Sequence, residues 1–147
     1  MARWEPKILV VGVDGSDASV KAVGVAAAMA RHNNATLHIV AVVRPPEGWW
    51  GVVGSPPSAE SLGDAMSKAQ RDVLDKTLEL ADLEGVSYET AEELGDPAHC
   101  LVSYCSQHDA DVLVIGKRGT GLVERIVVGS VADRVVHMAG CPVLVVP

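Results

Sequence analysis

Asp111-Val112-Leu113-Val114-Ile115-Gly116-Lys117-Arg118-Gly119, followed after nine residues by Gly129-Ser130, is the stretch that decides how this chain is read. Its first half is a short apolar run rich in β-branched residues. Strands of that composition are covered on both faces, the habit of parallel sheets. Its second half puts glycines where the strand gives way to a turn, and a further Gly-Ser where a helix opens. Glycine lets backbone N–H groups crowd around an anion, and a helix N-terminus attracts one. A strand, a glycine turn and a helix start in that order suit phosphate.

The same kind of strand recurs on either side. Residues 7–14, 35–43 and 142–146 are nearly continuous apolar runs, whereas Val86 to Glu92 alternates as a half-exposed edge strand does. Between them lie helical patterns: Val20, Val23, Ala27 and Ala30; Leu62, Met66, Ala69, Val73 and Leu80; Ala98, Leu101, Val102 and Cys105; Val131, Val135 and Met138. Spacings of three and four place each set on one face. Asp96-Pro97 supplies an N-cap and a first-turn proline, and Ser130 with Asp133 reads as a capping box. The order β-α-β-α-β-α-β-α-β predicts an α/β fold: a five-stranded parallel doubly wound sheet with helices on both faces. No repeat or composition shift divides residues 1–147, so one domain is expected.

Composition agrees. Of 147 residues 48% are hydrophobic, Phe is absent, and Trp and Tyr are few, which makes the core aliphatic. Cysteines 100, 105 and 141 are too few for a disulfide framework, and residues 100 and 105 lie about 140° apart on a helix, not facing each other. The start lacks an apolar signal region, and the longest apolar-and-glycine stretch, Ala22 to Ala30, is far short of a membrane span. These features predict a cytoplasmic, reduced setting away from membranes. The net charge of −7 is uneven: residues 64–96 hold ten acids and three bases, residues 111–147 three acids and four bases. An acidic protein repels nucleic acid at long range, while a small phosphorylated ligand can be held locally beside the basic surplus.

Open parallel sheets bind ligands beyond the carboxyl ends of their strands. There the first strand ends in Gly12-Val13-Asp14-Gly15-Ser16. The Asp14 carboxylate either accepts bonds from ribose or adenine or closes an Asx turn. Gly116, Gly119, Gly121 and Gly129, with Thr120 and Ser130, surround the phosphate position, and Lys117 and Arg118 either neutralise phosphate or stand in water. Residues 44–60, with four prolines and the pair Trp49-Trp50, form an unusually long connection, read as a surface covering or as a lid. His99, Cys100, Cys105 and His108 are set aside as a metal site, because Cys105 belongs to the apolar stripe and no ligand spacing recurs. Neither the dinucleotide G-x-G-x-x-G nor the P-loop pattern is present, and no Ser-His-acid order suggests a catalytic triad.

Taken together, V-V-G-V-D-G-S at 10–16, G-D-P at 95–97, G-2x-G-9x-G-S at 116–130 and G-S-V-A-D-R-V-V-H-M-A-G-C-P-V-L-V-V at 129–146 resemble the universal stress protein family, in its ATP-binding branch. The resemblance covers essentially the whole chain. It implies that Asp14, with Gly12 beside it, and the backbone at Val42 hold adenosine, and that Gly116, Gly119, Gly129, Ser130 and Val131 hold ribose and phosphates. The ligand implied is ATP, with Mg²⁺. The resemblance also places the strand within 142–147 at a sheet edge. Because that strand is apolar, a second copy is the expected cover, giving a homodimer. The 44–60 stretch departs from the pattern.

Three functions follow. A regulatory module that acts by binding ATP in stress adaptation fits a site rich in backbone donors and poor in bases. A slow ATPase would need a water-activating group, for which Glu124, Asp133 and His137 are the neighbours in sequence. A protein-interaction module would leave the glycines merely structural. No catalytic residue is assigned.

Overall fold

A computed structural model describes residues 3–43, 59–117 and 130–147, with side chains of the second segment described from residue 63 onward. The elements run β1 (Ile8–Val13), α1 (Asp17–Asn33), β2 (Thr36–Val43), α2 (Ala59–Leu80), β3 (Ser87–Leu94), α3 (Pro97–Gln107), β4 (Val112–Gly116), α4 (Ser130–Met138) and β5 (Val143–Val146). The five strands form one sheet in the order β3-β2-β1-β4-β5, every pair parallel. Among the described residues no helix is long and apolar enough to cross a membrane.

The apolar runs account for the order. β1, β2 and β4 occupy the middle, and their alternate residues feed two separate cores. Leu9, Val11, Leu37, Ile39, Val112 and Val114 face one layer, with Ala22, Val23, Ala26, Ala27 and Ala30 of α1 and Leu74 of α2. Val10, Val40, Val42, Leu113 and Ile115 face the other, with Ala98, Leu101 and Tyr104 of α3 and Ala132 and Val135 of α4. Because period-2 alternation sends neighbours to opposite faces, only a strand apolar at every position can fill both layers. The alanines of α1 let that helix lie close to the sheet.

β3 begins one residue later and ends two residues later than its pattern predicts. It is the edge strand expected, and most of it is exposed. α2 departs from its predicted stripe. Leu80 is exposed, while the buried side is Met66, Gln70, Leu74 and Thr77. Gln70 is buried because its Nε2 donates to the Glu93 carbonyl at 2.7 Å, and Thr77 because its Oγ1 donates to the Val73 carbonyl at 2.8 Å. Hydrogen bonding removes the cost of burying both. Met138, predicted to face the core, is exposed at the last turn of α4. Most of the 44–60 stretch lies outside the described residues, as do Trp49 and Trp50, and α2 already starts at Ala59.

Candidate functional site

Strand order reverses direction between β1 and β4: β2 and β3 lie to one side, β5 to the other. Helices α1 and α2 cover one face and α3 and α4 the other. Such a switch point opens a crevice at the carboxyl ends of the two strands. Two turns meet there, Asp14-Gly15-Ser16 after β1 and Gly116-Lys117 at the end of β4.

The first turn is tightly built. Asp14 Oδ1 accepts from the Ser16 N–H at 2.9 Å, an Asx turn, and Gly15 takes φ +84°, which disfavours any side chain. Ser16 then caps α1, its Oγ accepting from the Ser19 N–H at 3.1 Å. The Ser19 hydroxyl donates to the Ser16 carbonyl at 2.9 Å and accepts from the Asp14 N–H at 3.4 Å. From α2, Lys76 Nζ donates to the Gly15 carbonyl at 2.6 Å. Nothing in the sequence pointed to Lys76, since one lysine on an exposed helix face has no distinguishing spacing.

Gly116 packs against the start of α1, just after this turn. A Cβ on it would stand 3.1 Å from the carbonyl carbon and oxygen of Ala18 in the first turn of α1. Lys117 N–H donates to the Val146 carbonyl at 2.7 Å, carrying the β4–β5 ladder one residue further. Gly12 has a packing reason for being glycine: a Cβ there would lie 2.6 Å from Leu101 Cδ1 of α3. Val42 lies one residue beyond the last β1–β2 pair, Val13 with Ala41, so β2 extends past its neighbour where β1 turns away.

On the other face α3 and α4 also begin at this edge. Asp96 caps α3, its Oδ2 accepting from the His99 N–H at 3.0 Å, and its Oδ1 accepts from Arg134 Nη1 of α4 at 2.7 Å. The cap was legible in Asp96-Pro97, but the partner thirty-eight residues away was not. That hydrogen bond holds the Arg134 guanidinium charged, pushing its pKa up. Ser130 is the first residue of α4 and exposed, and Val131 packs half-buried on the core behind it. The cap of α4 falls outside the described residues, so the predicted capping box stays an expectation.

The structure therefore brings Gly12, Asp14, Val42, Gly116, Lys117, Ser130 and Val131 to one end of the sheet. Arg118, Gly119, Thr120, Gly121 and Gly129 lie outside the described residues, and so does Glu124. Asp133 and His137 are engaged with each other: His137 Nδ1 lies 2.8 Å from the Asp133 carbonyl and 3.7 Å from its carboxylate. His137 also stands about 10 Å along the helix from Ser130, at 1.5 Å per residue. Chemically, the described residues of this edge offer helix-start N–H donors, the carboxylates of Asp14 and Asp96, and the cations of Lys76, Lys117 and Arg134.

Comparison with known proteins follows the same lines. Residues 6–147 match the model of the Universal stress protein family. Universal stress protein MJ0531 of Methanocaldococcus jannaschii is 33% identical over 147 residues, 95% of this chain and 81% of that protein. Among solved structures, UspA from Lactobacillus plantarum superposes with a TM-score of 0.77 at 27% identity, covering 99% of this chain and all of that one. A universal stress protein in complex with cAMP superposes with a TM-score of 0.67 at 28% identity, covering 97% and 98%. The chain belongs to the universal stress protein family.

Proposed function

We propose that the crevice between the carboxyl ends of β1 and β4 binds an adenine nucleotide, ATP with Mg²⁺, and that the protein works as a regulatory module in stress adaptation by binding it. The observation that carries this reading is Gly116 at the end of β4 packed against Ala18 in the first turn of α1, just after the Asp14 turn, at the switch point where α1 and α4 both start. Asp14 and the backbone at Gly12 and Val42 would take adenosine. Gly116 to Gly121 and Gly129, Ser130 and Val131 would take ribose and phosphates, with Lys117 and Arg118 offsetting charge. Helix N-termini carry partial positive charge where the phosphates would lie. That one relative is solved with cAMP supports an adenine ligand. Mg²⁺ would be carried on the phosphates.

Efficient hydrolysis needs a group that orients water and groups that stabilise the moving phosphoryl charge. His137 turns its Nδ1 onto the Asp133 backbone carbonyl at 2.8 Å and lies about two turns of α4 from Ser130, which favours binding over turnover. ATP release of phosphate should fall far below the typical enzyme rate of about 10 per second. The test is calorimetric titration of the wild type and Asp14→Ala with ATP and with cAMP, alongside phosphate release from labelled ATP. The reading expects ATP binding that Asp14→Ala weakens roughly tenfold, about 1.4 kcal/mol. Rapid release abolished by Glu124→Gln would make the protein an enzyme instead. We further propose a cytoplasmic homodimer joined through β5.

A further inference from the structure

Cys105 and Cys141, far apart in the sequence, meet at the amino-terminal end of the sheet, opposite the nucleotide crevice. Cys105 lies in the last turn of α3, and the chain folds back beneath it with the Ala110 N–H donating to the Cys105 carbonyl at 2.9 Å. Cys141 precedes β5, where the Leu113 N–H of β4 donates to the Pro142 carbonyl at 2.9 Å. Cys105 is a buried member of the core layer under α3 and α4, and Cys141 packs against that same layer, near enough to push the Cys105 pKa up. Cys105 is buried and Cys141 half-buried, and both are free thiols. Cys100 points elsewhere, its Sγ lying 3.6 Å from the Leu94 carbonyl.

We propose that Cys105 and Cys141 form a peroxide-responsive dithiol that closes to a disulfide within one chain. Burial and the neighbouring Cys141 push the Cys105 thiol up to about 12. Cys105 is buried and Cys141 only half-buried, so Cys141 is the sulfur that an oxidant reaches. Cys141 Sγ attacks a hydroperoxide, whose O–O bond breaks. The sulfur becomes a sulfenic acid, and the peroxide leaves as alcohol or water. Cys105 Sγ then displaces the hydroxyl, which departs with the Cys105 proton as water. Two electrons pass from the two sulfurs to the peroxide. The ring so closed contains β4, all of the segment from Gly116 to Ser130, and α4.

The test treats the whole protein with hydrogen peroxide, alkylates it in denaturant and maps the peptides without reduction. The expected result is a Cys105–Cys141 link within one chain, an alkylated Cys100, and return of all three thiols with dithiothreitol. Cys100→Ser should still form the link. In Cys105→Ser, Cys141 should run on to the sulfinic acid, because its resolving thiol is gone. Wild-type Cys141 driven to sulfinic acid, a link through Cys100, a link between two chains, or three unreacted thiols would each overturn the proposal.

Discussion

Gly116 ends β4 so close to Ala18 that a Cβ on the glycine would lie 3.1 Å from the backbone carbon and oxygen of Ala18. Backbone cannot swing aside as a side chain can, so Gly116→Ala must push β4 and the first turn of α1 apart. Overpacking of this kind costs about 1–3 kcal/mol. The midpoint of urea unfolding should fall by that equivalent with an unchanged slope. ATP affinity should fall with it, because both turns of the crevice move.

Lys76 makes a different kind of claim, since it reaches the crevice only through the Gly15 carbonyl. The bond is exposed and stabilises the fold little, roughly 1 kcal/mol or less. Lys76→Met should leave the thermal midpoint nearly unchanged and lower ATP affinity several-fold in titration calorimetry. Equal affinity with equal stability would show that the Asp14 turn holds its shape without α2.

His38 predicts how stability follows pH. Its Nδ1 lies 2.7 Å from the Tyr104 hydroxyl, its Nε2 lies 3.3 Å from Glu89, and the His108 ring stands at 5.4 Å. Burial lowers its pKa, partly opposed by Glu89 and aided by His108. The neutral ring is thus favoured in the fold. Its contribution is fully present above the unfolded value of about 6.5 and is lost as pH falls through that value and then through the lower folded one. Unfolding free energy should drop between neutral and acid pH more steeply in the wild type than in His38→Gln. Matching slopes would refute the assignment.

Val143 and Val145 of β5 are half-buried, and that strand closes one edge of the sheet. An apolar edge invites a second copy. Val145→Lys should shift the sedimenting species from dimer to monomer with the circular dichroism retained. A wild type that sediments as a monomer at high concentration would remove the dimer from the account.

How much of this was legible in the sequence depends on where the physics is local. The doubly covered strands β1, β2 and β4 announced themselves as unbroken apolar runs, and the alternation of β3 marked an edge. The Asp96 cap and the Asp14 turn were readable because capping chemistry acts within a few residues. Gln70 and Thr77 were missed because their burial depends on hydrogen bonds that hydrophobic spacing does not encode. Lys76 on Gly15, Arg134 on Asp96 and Cys105 on Cys141 were missed for another reason. Each joins elements that only the folded sheet brings together.

Whether this crevice holds an adenine nucleotide is read from the nucleotide content of the freshly purified protein. Wild type and Gly119→Asp, which adds a carboxylate to the glycine motif, should be denatured and their released small molecules separated by chromatography. ATP should be released from the wild type and strongly reduced from Gly119→Asp, and the emptied wild type should refill on incubation with ATP and Mg²⁺. A wild type that carries no adenine nucleotide and takes up none would contradict it, leaving the glycines to shape a protein-interaction surface.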